Sequence, residues 1–468
     1  MQFPPAAVCY TFSQFARPRL RRKFISTGET VMKYNRRQFI GAASAAAVSA
    51  ALPRALFAAP YRLKDGKPYA GATLNILSVV TPQFDGLRLR DQEFTDITGI
   101  KTNWTFIPFA SLQEKVASVG VAADGAFDVV NYLDSWGPPN AHWLLPIDDY
   151  LARDGISMAR YPAAFAKSAQ FEGKTLGFPL RAHAQLMFRR RDLIPDAPQS
   201  WEEVIAVGRE LKAAGGIEPL ALYYHNDGNR QNLFIWLNFL WAAGAEVFDE
   251  NTRAAWGSDA GLRATRDYIG LHTREKITNP ASLSFVEQDA RQSFMQGKSA
   301  MIPVWWWAYS SMINPKSSQL TPEQVAFSGM PAYRGKTVTY AISMPFSISK
   351  HSRNADAAWE FLKWLSNPAL EKKNATEREV AGKPIVNNVV THIENLRDPQ
   401  VNAANAGIQQ AAWASLENSD IMPQIPEWPE IGDILSVAIT SAAAGGNVNR
   451  LMNDAAKQTD RILKRAGY

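Results

Sequence analysis

The sequence predicts an α/β fold built on a parallel, doubly wound sheet, from two observations. Short apolar stretches with strand character alternate with stretches of helical periodicity, the pattern that places helices on the faces of a parallel sheet. About 410 residues also remain beyond an N-terminal targeting pattern, enough for two or more domains.

The elements follow in chain order. Residues 73–80 (TLNILSVV) read as a buried strand, 91–98 as a helix and 101–108 as a second strand. Residues 112–121 are helical, and 127–133 (FDVVNYL) form a third strand with Asp134 at its carboxyl end, where ligands of doubly wound sheets collect. Residues 176–188 form an extended stretch containing proline, leading into an amphipathic helix over 201–214. Further helices are expected at 232–243, 260–271, 290–296, 355–365 and 448–465. Asn354 and Asp356 mark the start of the 355–365 helix, and Pro368 lies beyond its end.

The N-terminus carries an export pattern. Residues 35–40 (NRRQFI) hold the pair Arg36 and Arg37, followed by an Ala-rich stretch over 41–52 and the small residues Ala58 and Ala59. That layout is a twin-arginine (Tat) signal, with cleavage expected after Ala58 or Ala59. Ser44, Ser49, Pro53 and Arg54 keep the apolar run short of the roughly 20 residues a membrane span needs. Met32 would begin a signal of ordinary length at 32–58, leaving 1–31 as an upstream extension.

Processing changes the composition. The one cysteine, Cys9, lies upstream, so the exported chain has no thiol for a disulfide or a lipid anchor. Residues 1–58 hold nine Lys or Arg and one Glu, so of 50 basic and 44 acidic residues 41 and 43 remain, formally −2. The basic balance of the whole chain therefore gives no reason to expect nucleic-acid binding.

Metal, phosphate and nucleophile motifs are missing. The six histidines, at 142, 183, 225, 272, 351 and 392, have no metal-ligand spacing. There is no GxGxxG, GxxxxGK[ST] or GxSxG pattern, and no cofactor is expected. Aromatic residues stand out instead: 14 Trp, with Trp305, Trp306 and Trp307 consecutive and Tyr309 close behind. Indole faces suit the C–H face of a sugar ring. Three consecutive residues cannot all point one way, so at least one should face core and one a cleft.

Several segments together resemble the maltose-binding class of extracellular solute-binding proteins (family 1). They are FDVVNYLD at 127–134 with LLPIDDYL after it, GKTLGFPLRAHAQLMFRRRDL at 173–193, SWEEVIAVGRELKAAGG from 200, SFMQGKSAMIPVWWWAYS from 293 and YAISMPFSISKHSRNADAAWEFLKWLSNP from 340. Gly446 and Asn447 precede a final helix. The resemblance implies a two-lobed periplasmic-binding-protein fold with three hinge crossings, near Leu180, Tyr340 and Ile385, and a ligand cleft between the lobes. Lobe I would be 71–180 plus 340–385, and lobe II 181–339 plus 386–468. Matched motifs put Asp134 where a carboxylate accepts sugar hydroxyls, Tyr132 beside the cleft and Trp307 at the stacking position. His183 falls at the first crossing and Trp428 in a C-terminal loop that reaches the ligand, while Trp305 and Trp306 widen the aromatic patch.

The resemblance further implies a non-enzymatic periplasmic monomer that captures a carbohydrate and delivers it to the permease of an ABC importer, after passage through the Tat translocase. His183 stands where the family has a carboxylate, and Arg181, Arg189, Arg190 and Arg191 crowd the first crossing. A ligand smaller than maltose, or one with an anionic group, is open, although a solvated strand edge is the plainer reading of the arginines. The alternatives are a Tat-exported carbohydrate-active enzyme, which would turn over candidate sugars, and an adhesin or scaffold with no small ligand.

Overall fold

A computed structural model describes residues 61–385, 387 and 389–468. The export pattern, its arginine pair and Cys9 lie outside the described residues. Eight strands carry the main sheet: β1 (Thr73–Val79), β2 (Lys101–Ile107), β3 (Val129–Asn131), β4 (Phe178–Arg190), β5 (Glu218–Leu220), β6 (Ser299–Trp305), β7 (Val325–Ser328) and β8 (Thr339–Ser349). Their order is β2-β1-β3-β8-β4-β6-β5, with β7 pairing β4. The two-residue strands Leu144–Leu145 and Ser419–Asp420 also pair β8.

The sheet is mixed, which corrects the parallel expectation. β1 pairs parallel with β2 and β3, and β5 with β6, as a doubly wound pattern requires. The two long strands in the middle break it. β8 runs antiparallel to β3 and to β4, and β4 antiparallel to β6. The third strand is also shorter than expected: only Val129–Asn131 find ladder partners, Val129 and Val130 on both sides and Asn131 on β8 alone.

β4 and β8 link the two parallel groups. β8 is buried along its whole length, which explains why its sequence lacks the alternation of a one-sided strand. Their pairing shifts register between Met344↔Arg181 and Phe346↔Phe178, so β4 carries one extra residue there. Pro179 and Pro345 sit in that interval, and neither has an N–H to donate to a regular ladder.

The expected helices form with small changes at their ends. They are α1 (Asp91–Thr98), α2 (Phe109–Ala122), α3 (Trp201–Ala214), α4 (Leu233–Ala242), α5 (Asp259–Thr273), α6 (Glu287–Met295), α7 (Ala355–Leu365) and α11 (Val448–Ala466), and three helices not expected join them: α8 (Pro368–Thr376), α9 (Ile408–Leu416) and α10 (Trp428–Ala443). α3 shows why: Ser200 Oγ accepts from Glu203 N, Glu203 accepts in return from Gln199 N, and Gly215 at φ +73° ends the helix. α4 is apolar on every side and buried along its length. Its one polar residue, Asn238, donates to Gln185 Oε1 at 2.6 Å and accepts from Tyr340 N at 2.7 Å, tying α4 to both long strands.

Residues 387–405 do not leave the β1–β3 side at Ile385. His392 contacts Tyr61 and Tyr161 and sits 3.0 Å from Glu371 of α8, while Asn405 donates to Ala375 O. The chain reaches the other side in α9, which packs on β4 and β7, and Ser419–Asp420 then pairs beside Thr339–Tyr340.

Candidate ligand cleft

The junction of β4, β6 and β8 gathers most of the chemically distinctive side chains. In β4, Arg181, His183 and Gln185 share one face, because alternate residues of a strand do. Met344, Ile342 and Tyr340 lie on the same face of β8, since Met344 is opposite Arg181 and Ile342 opposite His183. Trp305 ends β6 opposite Gln185. Its ring lies 6.3 Å from His183, 5.4 Å from Tyr340 and 5.3 Å from Phe234 of α4.

The consecutive tryptophans separate as their geometry demands. Trp305 and Trp306 are buried, while Trp307 is partly exposed. Trp306 donates from Nε1 to His183 Nδ1 at 3.0 Å and to Ala182 O at 3.2 Å. Trp307 has its ring 6.3 Å from His183 and carries the Arg291 guanidinium 5.0 Å over it. Arg291 in turn bonds Glu287 at 2.9 Å, an i, i+4 pair on α6.

Asp134 opens a 3-10 turn directly after β3 and is fully buried. It accepts from Ser135 N at 2.6 Å and from Ser343 N of β8 at 3.3 Å. Burial outweighs those two bonds and pushes its carboxyl up to about 7. Tyr340 is held well above the usual phenol range, first by burial and then by the Asp134 charge. Burial also raises Tyr223, with Glu287 adding to the effect. Arg181 is brought down to about 10 by burial, which Glu287 opposes, and His183 well below its usual range by burial and then by Arg181.

Several buried polar atoms here have no hydrogen-bond partner among the described residues: Arg181 Nε, His183 Nε2, Tyr223 Oη, Tyr340 Oη and Trp136 Nε1. Buried polar groups are normally satisfied, so a cluster of them marks a place built to meet something else. Arg230 borders the cluster. It lies in the left-handed region at φ +60°, is buried, and donates to Pro429 O, Asp433 Oδ1 and, across to α2, Gln113 Oε1 at 3.0 Å.

Of the residues singled out from sequence, the fold brings together His183, Trp305, Trp306 and Trp307, with Asp134 reached through Tyr340. Tyr132 is buried, and its hydroxyl accepts from Ser347 Oγ at 3.1 Å. Trp428 does not lie in a loop as expected but opens helix α10; fully buried, it donates to Met422 Sδ at 3.3 Å and meets Phe248 edge-on. Arg189 and Arg190 are engaged at the far end of β4, with the Ile194 and Pro195 carbonyls and with Asp192. Arg181 differs from both, having turned into the cluster. Tyr223, Arg230, Glu287, Arg291 and Tyr340 are additions. Only Glu287 and Arg291, at helical i, i+4 spacing, leave a local trace in sequence. A separate surface cavity of about 440 Å³, lined in part by Pro138, His142, Phe171, Glu172 and Lys350, shares no residue with this cluster.

Residues 85–372 match the model of a family described as bacterial extracellular solute-binding protein. A binding protein of Brucella abortus is 26% identical over 387 residues, covering 78% of this chain and 87% of that protein. A Sinorhizobium fredii protein named as a probable amino-acid ABC transporter periplasmic-binding protein is 22% identical over 429 residues, covering 86% and 92%. Among solved structures, maltose-bound MalE3 of T. maritima superposes with a TM-score of 0.73 at 18% identity, covering 84% of this chain and all of that one. An Agrobacterium radiobacter ABC transporter solute-binding protein in complex with ribitol gives 0.71 at 21% identity, with the same coverage. At these identities the likeness concerns the fold, a two-lobed binding-protein architecture around a central mixed sheet.

Proposed function

The chain belongs to the bacterial extracellular solute-binding proteins, the non-enzymatic substrate-binding components of ABC transporters, and from that premise we propose that its solute is a carbohydrate or polyol. One observation carries the reading: indole rings and unpartnered phenols face the same buried cluster, with Asp134 at its edge. A sugar presents C–H faces to rings and hydroxyls to polar atoms, so both kinds of group find partners at once. Proteins of similar fold solved with maltose and with ribitol bound support the same class.

In this reading Asp134 and Trp307 reach the ligand from opposite lobes. The first lobe is 71–180 with 340 to about 405, and the second the remainder, with the third crossing at α9. Closure expels water and alters the surface offered to the permease. No helix among the described residues is long and apolar enough to cross a membrane. We read Arg36 and Arg37 as directing export through the Tat translocase, and the exported protein as a periplasmic monomer.

The test is thermal unfolding of the processed protein with maltose, ribitol, D-mannitol, further sugars and a set of amino acids. A ligand at 100 times its dissociation constant adds about 2.7 kcal/mol to stability, an easily read shift. A shift with carbohydrates is the expected result. Shifts with amino acids alone would overturn the carbohydrate reading.

A further inference from the structure

The unpartnered groups of the cleft can be sorted by what they offer. Trp306 Nε1 is an indole N–H, which only donates, so His183 Nδ1 must accept from it. Burial keeps the ring neutral, and its one proton therefore sits on Nε2, making that atom a donor without a partner. Arg181 Nε is a second such donor, and the Tyr223 and Tyr340 hydroxyls can each donate as well. The acceptor nearby is Asp134 in its ionised form, at the other edge of the cluster.

Arg181 is the decisive member. Its guanidinium touches the thioether of Met344, and among the described residues no carboxylate lies within ion-pair distance. Glu287, the acid that influences it, is already bonded to Arg291. The side chain is partly exposed, but its Nε is shut off from water with no partner; leaving that part of a guanidinium without an acceptor or counter-charge is costly, and an anion placed against it offsets that cost. Arg181 and His183 project from the same face of β4, two residues apart, so one planar group can meet both. Their planar, charge-assisted counterpart is a carboxylate.

We propose that the ligand is an acidic carbohydrate, a sugar acid whose carboxylate is held by Arg181 and the His183 Nε2–H while its hydroxyls meet Tyr223, Tyr340 and Asp134. The inference rests on the carbohydrate reading above and narrows it.

The experiment is calorimetric titration of the processed protein with matched pairs that differ at the acid: D-glucuronate and D-glucose, D-galacturonate and D-galactose, D-gluconate and D-glucitol. In at least one pair the acid is expected to bind about 10- to 100-fold more tightly than its neutral partner, the factor that a charge-assisted bond gives. Arg181→Met should erase that preference, and Arg181→Lys should restore part of it. Neutral partners binding as tightly as the acids, or Arg181→Met with undiminished affinity for the acid, would overturn the acidic ligand and leave the carbohydrate reading standing. Binding of no member of any pair, with amino acids bound instead, would remove both. The wild-type comparison decides the matter even if Arg181→Met fails to fold.

Discussion

Asp134 illustrates how a residue's surroundings set a testable behaviour. Burial pushes its carboxyl up to about 7, because it disfavours the charge more than two backbone N–H groups favour it. The folded-state value is thus above the unfolded one, so the folded protein holds the extra proton between about pH 4 and 7 and loses this group's stabilisation as pH rises through that window. Ligand hydroxyls donate best to the ionised form. Affinity should therefore rise between about pH 6 and 8 with release of a proton, and Asp134→Asn should bind more weakly with a flat profile. Titration calorimetry in buffers of different ionisation heat reads the proton directly. The adjacent tryptophans give a contrast. Trp306→Ala should cost about 3 to 5 kcal/mol of stability as a core truncation. Trp307→Ala, partly exposed, should lower affinity and leave the melting temperature nearly unchanged. Equal thermal effects in the two variants would contradict the division of roles. In sequence the three rings were legible as a group, but which of them faces inward depends on where β6 ends and the following turn begins.

At the scale of elements, the helices were the most legible part, because caps and periodicity are local signals. α7 begins and ends where Asn354, Asp356 and Pro368 indicate, and α3 is closed by Ser200 and Gly215. Contacts between distant elements leave no such signal. Arg230 and Asp433 are 203 positions apart, and nothing near either one announces the pair. Gly432 of α10 exists in that contact: a Cβ there would come 2.4 Å from Arg230 Cδ. Gly432→Ala should displace Arg230, break its bond to Gln113 and cost about 1 to 3 kcal/mol, the usual range for overpacking. Weakened ligand binding in this variant, with Gln113→Ala weakened as well, would tie the Arg230 bridge to closure. Wild-type affinity in both would make the bridge purely structural.

For the whole molecule, alternation of strands and helices gave the α/β class and the motifs gave the family, yet strand direction in the middle of the sheet was hidden. An apolar run such as β8 has the same composition whichever way its neighbours point, and the order β3-β8-β4 joins segments more than 150 residues apart. We place the third passage after Ile385 on contacts that leave no local signal. Nothing in residues 385–405 announces that Glu371 and Ala375 hold them on the side they came from. The shared strands have a further effect, on unfolding. β4 and β8 pair with each other in the register Ala341↔Ala184, Ile342↔His183 and Ser343↔Ala182 while also carrying the neighbours on either flank. Neither half can melt without stripping a strand from the other, so heat should unfold the described body in one cooperative transition, with calorimetric and van't Hoff enthalpies in agreement. The slowest amides to exchange with deuterium should then be those of residues 182–184 and 341–343, at the junction and not in the centre of either half.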